Sequence, residues 1–129
     1  MGARFVIDNS VVMTWCFADE ADPYADAVLE SLKTHTAVTP PIWSLEVVNV
    51  LLVAERRTRL TQKESAHFLS LLAKLPIQVD PTPSEENMRE LLNLGRTQNL
   101  TSYDAAYLDL AMRLGIPLAT LDQRLIAAA

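Results

Sequence analysis

The sequence contains little cysteine, little glycine and no long apolar run, and each shortage excludes a class of protein. Cys16 is the only cysteine among 129 residues, so an intramolecular disulfide is excluded and a reducing compartment is favoured. With three glycines and 50% hydrophobic residues, the composition is neither that of a disordered nor that of a collagen-like protein. No apolar run is long enough to cross a bilayer, and the N-terminal segment lacks the pattern of a signal peptide. We therefore expect a cytoplasmic protein that does not enter a membrane.

Length and charge restrict the class further. A chain of 129 residues is long enough to bury one core, so we predict a single domain over residues 1–129. The net charge of −5 argues against nucleic-acid binding by a large basic face. Divalent cations held by carboxylates would compensate much of this charge, so an acidic protein can still bind a polyanion through its metals.

Short apolar runs alternate with amphipathic stretches, which is typical of βαβ units around a parallel sheet. The sequence predicts strands at residues 4–8, 37–39, 77–80 and 118–120, with helices between them. The fold class is therefore α/β, with a small, mainly parallel central sheet.

Capping residues predict where the first helices begin. Ser10 would cap a short helix, Asp22 followed by Pro23 would open a second, and Ser44 would cap a third that ends near residue 57. The spacing of Ala25, Val28, Leu29 and Leu32 places them on one face of the second helix.

The later helices have equally clear signals. A capping box at residues 61–64 opens the fourth, and a fifth starts near residue 84. Thr101 or Ser102 caps the sixth, and Gly115 ends it. The inward residues predicted for the fifth helix are Met88, Leu91 and Leu92.

Four acidic residues lie at the ends of predicted strands or the starts of predicted helices: Asp8, Glu46, Asp104 and Asp122. Singly, each has a structural explanation as a turn residue, a helix-dipole partner, a capping-box member or an N-cap. Jointly they share the sheet edge at which open α/β folds bind ligands. Two carboxylates 4 Å apart repel by ~4 kcal/mol at intermediate dielectric. Mg²⁺ or Mn²⁺, one ion or two, would offset that cost.

Neighbouring polar residues fit supporting roles. Ser10 and Thr120 could orient the carboxylates, and Asn49 lies one helical turn from Glu46. Asp109 should point away from the acidic group, because it lies five residues beyond Asp104 on a helix. Asp80 precedes Pro81 and is interpreted as a turn residue, and His35 and His67 are too isolated to form a metal site with Cys16.

The ordered acidic segments resemble the PIN-domain family, and more closely its VapC-type toxin ribonucleases. The matching segments are residues 5–10, 46–51, 101–107 and 119–122, and they are distributed over nearly the whole chain. The resemblance implies a three-layer α/β/α sandwich, Mg²⁺- or Mn²⁺-dependent endoribonuclease activity and a cognate VapB-like antitoxin. It also implies that Asp8 and Asp104 are the central metal ligands and that Glu46 and Asp122 complete the set. Asn9 stands where the family often has a small hydroxyl residue, and little chain follows Asp122 to form a fifth strand.

The sequence also indicates partners. Arg56, Arg57 and Arg59 could contact RNA or an acidic partner, or simply complement a helix dipole. Arg113 and Arg124 are further candidates for phosphate contacts. Residues 47–54 are apolar nearly all round, which is typical of a core or interface helix, so we expect a homodimer and a groove for an antitoxin tail. An antitoxin arginine could pair with the carboxylates.

Other function classes fit the sequence less well. A catalytically silent PIN-like module that binds RNA or protein remains an alternative. A phosphoacceptor receiver domain would want an acid at Asn9 and a lysine after the last strand, and the last lysine is Lys74. A haloacid-dehalogenase-type phosphatase would want aspartate where Ser10 stands. A nucleotide-binding Rossmann module would need a glycine-rich loop.

Overall fold

The central sheet has the predicted parallel arrangement. A computed structural model of the chain describes residues 3–129, apart from the side chain of Ser84. Within these residues there are four strands in the order β3-β2-β1-β4: β1 (Arg4–Ile7), β2 (Thr36–Thr39), β3 (Ile77–Val79) and β4 (Leu118–Ala119). All neighbouring strands are parallel, so their carboxyl ends share one edge of the sheet.

Helices connect the strands and flank the sheet, as an α/β/α sandwich requires. The described residues form seven α-helices: α1 (Asn9–Val12), α2 (Pro23–Ser31), α3 (Trp43–Arg56), α4 (Gln62–Ala73), α5 (Met88–Gln98), α6 (Ser102–Leu114) and α7 (Gln123–Ala128). Short 3₁₀ turns lie at Met13–Trp15, Ala18–Glu20 and Ser84–Asn87. The predicted fold class is confirmed.

Several predicted helix signals are present in the structure. The Asp22 side chain accepts from the amides of Tyr24 and Ala25, and the Thr61–Glu64 capping box is reciprocal, with bonds of 2.9 and 3.1 Å. At the end of α6, Gly115 has a φ of 65°, in the left-handed region that glycine adopts without strain. These starts and stops depend on local chemistry, which explains why the sequence predicts them.

Three local predictions are wrong. The first helix begins at Asn9 and contains Ser10, so Ser10 is not its cap. Helix α3 begins at Trp43, and its cap position is Ile42, two residues before the predicted cap Ser44. On α5, Met88 and Leu92 are 64% and 54% exposed, whereas Leu94 is buried and Leu91, as predicted, packs against the same cluster.

Helix α6 has two buried faces, and this fixes its position. Tyr107, Leu110 and Ala111 belong to the main hydrophobic core around the sheet. Ala105 and Leu108 belong to a second cluster with residues of α5 and α7. Because a helix held on two sides has little freedom to shift, α6 is held firmly beside β1.

No helix within residues 3–129 is long and apolar enough to cross a membrane.

Candidate active site

The four predicted acids come from four different elements. Asp8 follows β1, Asp122 follows β4, and Glu46 and Asp104 lie in the first turns of α3 and α6. Strands β1 and β4 are adjacent, with Ile7 paired to Ala119, so the residues that follow them lie on the same sheet edge. The main-chain amide of Asp8 donates to Ala119 at 2.9 Å and extends this pairing to the acid itself.

Two hydroxyl groups orient the carboxylate of Asp8. Ser10 Oγ donates to Asp8 Oδ2 at 2.6 Å, and Thr120 Oγ1 donates to the same oxygen at 2.8 Å. Each hydroxyl also accepts a main-chain amide, from Leu121 at 2.9 Å and from Asp122 at 3.0 Å. These amides direct the hydroxyl protons toward Asp8, since each hydroxyl has one proton to donate.

The other carboxylate oxygen of Asp8 is left free by its neighbours. No hydrogen bond from the described residues reaches Oδ1, although the residue is only 5% exposed. Oδ1 is not among the buried unpartnered side-chain atoms of the described residues, so it is accessible to solvent. The arrangement therefore leaves one oxygen for a group outside the protein.

Glu46 is held by a tyrosine that the sequence pattern does not identify. The Tyr107 hydroxyl donates to Glu46 Oε1 at 2.5 Å across 61 residues of sequence. Burial raises the pKa of Tyr107 strongly, and Glu46 adds to the shift, so the phenol stays protonated. Burial also raises the pKa of Glu46; the Tyr107 bond opposes this shift, and the charges of Asp8 and Asp104 add to it.

Asp104 has a different environment. Its amide donates to Thr101 Oγ1 at 3.1 Å, the N-cap bond of α6. The reciprocal bond from the Thr101 amide to the Asp104 carboxylate is not formed among the described residues, so Asp104 does not close a capping box. Burial raises the pKa of Asp104, with further contributions from the charges of Asp122 and Asp8; Thr101 and Arg124 lower it.

Asp122 combines a structural role with a place in the acidic group. Its Oδ1 accepts from the amides of Arg124 and Leu125 at 2.8 and 3.3 Å and thereby caps α7. The N-cap explanation is therefore correct for this residue. Its charge nevertheless acts on Asp104 more strongly than that of Asp8 does, so the residue belongs to the same field.

The four acids form a negative cluster without a paired cation. The ion pairs of the described residues are Lys33–Glu30, Arg59 with Asp19 and Glu20, and Arg113 with Asp80 and Asp109, and none includes the four acids. Arg124 is the cation that acts on Asp104. Such a cluster costs folding free energy unless a cation compensates it.

The donor set suits a hydrated hard cation better than an enclosed metal site. Among residues 3–129, no group of three or more histidine, cysteine or acidic side chains is placed so that it could hold a metal ion. The acids offer only oxygen, and Mg²⁺ is commonly bound by one or two carboxylates while it keeps several waters. The free Oδ1 of Asp8 fits that mode of binding, and the absence of nitrogen and sulfur donors fits zinc poorly.

The structure places the remaining predicted residues in different surroundings. Asp109 is 3% exposed and accepts from Arg113 Nε at 2.9 Å, and Arg113 also pairs with Asp80 at 3.4 Å. Arg113 is therefore engaged by two carboxylates, while Arg124 is exposed and forms no ion pair within the described chain. Asn49 is exposed and makes no hydrogen bond with the described residues, so its supporting role stays a prediction.

Comparisons with known proteins identify the family of the chain. The PIN domain family model matches residues 5–129. A curated protein of Pyrobaculum aerophilum, Ribonuclease VapC3, is 28% identical over 123 residues that cover 95% of this chain and 92% of that protein. The crystal structure of PAE2754 from Pyrobaculum aerophilum has a TM-score of 0.69 at 21% identity, covering 100% of this chain and 88% of that one, and it supports the fold alone. As predicted from its acidic segments, the chain belongs to the PIN-domain family.

Proposed function

We propose that this protein is an endoribonuclease that depends on Mg²⁺ or Mn²⁺, and that it is the toxin of a toxin–antitoxin pair. The single observation that carries the proposal is the carboxylate of Asp8. Two hydroxyl groups orient it through Oδ2, and Oδ1 stays free within the field of Glu46 and Asp104. The name of its relative, Ribonuclease VapC3, supports RNA as the substrate and VapC-type toxin action.

We assign a distinct role to each residue of the site. Asp8 and Asp104 would hold the ion, and Glu46 and Asp122 would complete the set directly or through water. A bound ion would polarise the phosphodiester and make a water molecule a better nucleophile. Ser10 and Thr120 keep Asp8 oriented. Glu46, whose pKa burial raises, is suited to accept a proton from that water at Oε2, because Tyr107 occupies Oε1.

The proposed partners are RNA, a VapB-like antitoxin and a second copy of the chain. An exposed apolar stripe on α3, made of Leu45, Val48 and Leu52, supports a protein partner. These residues are spaced by three and four, so they share one helix face. An antitoxin arginine close to the four unpaired carboxylates would be favoured by charge.

RNA cleavage with purified protein tests the activity. We expect cleavage with Mn²⁺ or Mg²⁺, none with chelator, and a loss of at least about a hundredfold in Asp8→Asn and Asp104→Asn. The matched control is Asp26→Asn, which changes an exposed aspartate in the first turn of α2 and should keep parent activity. Cleavage that survives both site substitutions contradicts the proposal.

A catalytically silent PIN-like module is the second candidate. The observation that favours it is the absence, within residues 3–129, of three acids placed to hold one ion. It predicts RNA or protein binding that is indifferent to Mn²⁺, with no cleavage. The receiver-domain alternative is set aside, because the family match covers residues 5–129 and Asp80 is engaged by Arg113.

A further inference from the structure

Tyr107 joins the interior of the fold to the acidic cluster. Its side chain is fully buried in the main core, and its hydroxyl donates to Glu46 Oε1 at 2.5 Å. Tyr107 lies three residues after Asp104 on α6, so the two side chains are on neighbouring positions of one helix face. Because α6 is buried on two faces, the phenol is a rigid donor.

The bond makes the two carboxylate oxygens of Glu46 unequal. A short bond from a phenol to a carboxylate is charge-assisted and stronger than a bond to a neutral acceptor. It occupies Oε1, while no hydrogen bond from the described residues reaches Oε2.

We propose that Tyr107 is a positioning residue that holds Glu46 so that Oε2 alone faces the acidic cluster. The inference rests on the proposed metal-dependent function. Asp8 has the same division, with Oδ2 bound by two hydroxyls and Oδ1 free. Carboxylates that offer one oxygen each suit the octahedral shell of Mg²⁺ or Mn²⁺, whereas Ca²⁺ readily accepts carboxylates through both oxygens.

The test compares Mn²⁺ binding, followed by electron paramagnetic resonance of the free ion, in Tyr107→Phe and Tyr103→Phe. Both substitutions remove one phenol hydroxyl from α6, but Tyr103 is 56% exposed. We expect the Kd for Mn²⁺ to rise about tenfold in Tyr107→Phe, as when groups that orient metal ligands are removed. The Tyr103→Phe protein should match the parent, and the preference for Mn²⁺ over Ca²⁺ should fall in Tyr107→Phe alone.

A double-mutant cycle with Glu46→Leu separates positioning from a general loss of structure. If Tyr107 acts through Glu46, adding Tyr107→Phe to Glu46→Leu leaves the Kd for Mn²⁺ unchanged. Comparing the double variant with Glu46→Leu still tests the inference if Tyr107→Phe alone does not fold. Removing the phenol hydroxyl and the carboxylate together leaves no unpaired buried group. Thermal unfolding without metal monitors the fold of every variant.

Two results overturn the inference while leaving the proposed function intact. One is an unchanged Kd in a folded Tyr107→Phe protein, and the other is a further rise when Tyr107→Phe is added to Glu46→Leu. A parent protein that binds no Mn²⁺ would instead contradict the metal dependence itself, and the inference would fall with it.

Discussion

Thr120 and Asp8 are 112 residues apart in sequence and are joined by a buried hydrogen bond of 2.8 Å. The same Thr120 hydroxyl accepts the amide of Asp122 at 3.0 Å. One hydroxyl therefore links the ends of β1 and β4 to the start of α7. It orients the side-chain carboxylate of Asp8 and binds the main-chain amide of Asp122.

Replacing Thr120 with valine should weaken both the fold and the site. Valine has nearly the same shape but can neither donate to Asp8 nor accept from Asp122, so we expect a loss of about 1–2 kcal/mol in the free energy of unfolding. Mn²⁺ affinity should fall about tenfold. Urea titration with and without Mn²⁺ measures both effects.

The matched control for Thr120 is Thr97→Val, which removes an exposed hydroxyl bonded to a main-chain carbonyl within α5. It should stay within about 0.5 kcal/mol of the parent and bind Mn²⁺ normally. Equal effects at the two positions would mean that the Thr120 bond does not orient Asp8.

Removing a charge from the acidic cluster should stabilise the metal-free protein. Asp104 is repelled by Asp122 and Asp8, and Asp104→Asn removes that repulsion while leaving the N-cap bond to its amide. We expect a gain of up to about 1 kcal/mol at low salt, reduced by solvent screening because the side chain is partly exposed. We expect Mn²⁺ to raise the melting temperature of the parent and to leave that of Asp104→Asn unchanged.

Asp109→Asn is the contrasting variant for Asp104, on the same helix. Asp109 is buried and paired with Arg113, so its replacement should cost about 2 kcal/mol. If Asp104→Asn were equally destabilising, Asp104 would be a structural residue and the repulsive cluster would be wrong.

The acidic cluster also predicts how stability depends on pH. Burial raises the pKa of Asp104 above its ordinary 3.8 and that of Glu46 above its ordinary 4.5. Between these values and the raised values, the folded state binds more protons than the unfolded state. The free energy of unfolding contributed by the two groups is therefore largest below the ordinary pKa values and falls as pH rises through the raised ones.

The contribution of the two carboxyl groups is measured by comparing the parent with a variant that lacks both. The free energy of unfolding of the metal-free parent, minus that of the Asp104→Asn, Glu46→Gln double variant, should decrease as pH rises across that window. Urea titrations at a series of pH values measure it. Saturating Mn²⁺ should abolish the decrease in the parent, because a bound cation favours the ionised carboxylates. A difference that increases with pH would show that the two carboxylates are stabilised rather than strained.

The features that the sequence predicts are those encoded by neighbouring residues. The strands follow from short apolar runs, and the caps at Asp22 and Thr61 follow from local hydrogen bonding. Convergence of the four acids follows from parallel topology, since equivalent ends of parallel strands share an edge. These predictions need no knowledge of side-chain packing.

The wrong predictions concern features that depend on side-chain packing between distant parts of the chain. On α5, apolar residues occur at 88, 91, 92 and 94, so two helix faces fit the pattern. The structure buries Leu94 with Leu108 of α6 and Leu125 of α7 and leaves Met88 and Leu92 exposed. The sequence does not reveal the Tyr107–Glu46 bond for a related reason, because its partners are 61 residues apart. The sequence feature that points to Tyr107 as part of the site is its position one helical turn beyond Asp104.

Arg124 should contact an RNA phosphate near the site. It is exposed, its amide is bonded to Asp122, and it has no ion pair within the described residues, whereas Arg113 and Arg59 are engaged by carboxylates. In an Asp8→Asn background that does not cleave, Arg124→Gln should weaken RNA binding. The slope of log affinity against log salt should fall by about 0.7, the value for one phosphate contact on a single strand.

Arg57→Gln is the matched control for Arg124. Arg57 is exposed at the far end of α3, about 16 Å along the helix from Glu46. An unchanged salt slope is expected for this variant. If Arg57→Gln lowers the slope and Arg124→Gln does not, the RNA backbone lies along the far end of α3 instead.

The apolar stripe of α3 should mediate the proposed homodimer. Leu45, Val48 and Leu52 are 67%, 44% and 41% exposed, and a contiguous stripe of this kind is typical of a helix–helix interface. A lysine at position 52 would be buried without a partner in such a dimer, so Leu52→Lys should raise the dimer Kd at least about tenfold. Light scattering at micromolar concentration measures the mass. Leu92→Lys, at a 54% exposed position on α5, should leave the dimer intact, and a parent protein that is monomeric would show the dimer prediction to be wrong.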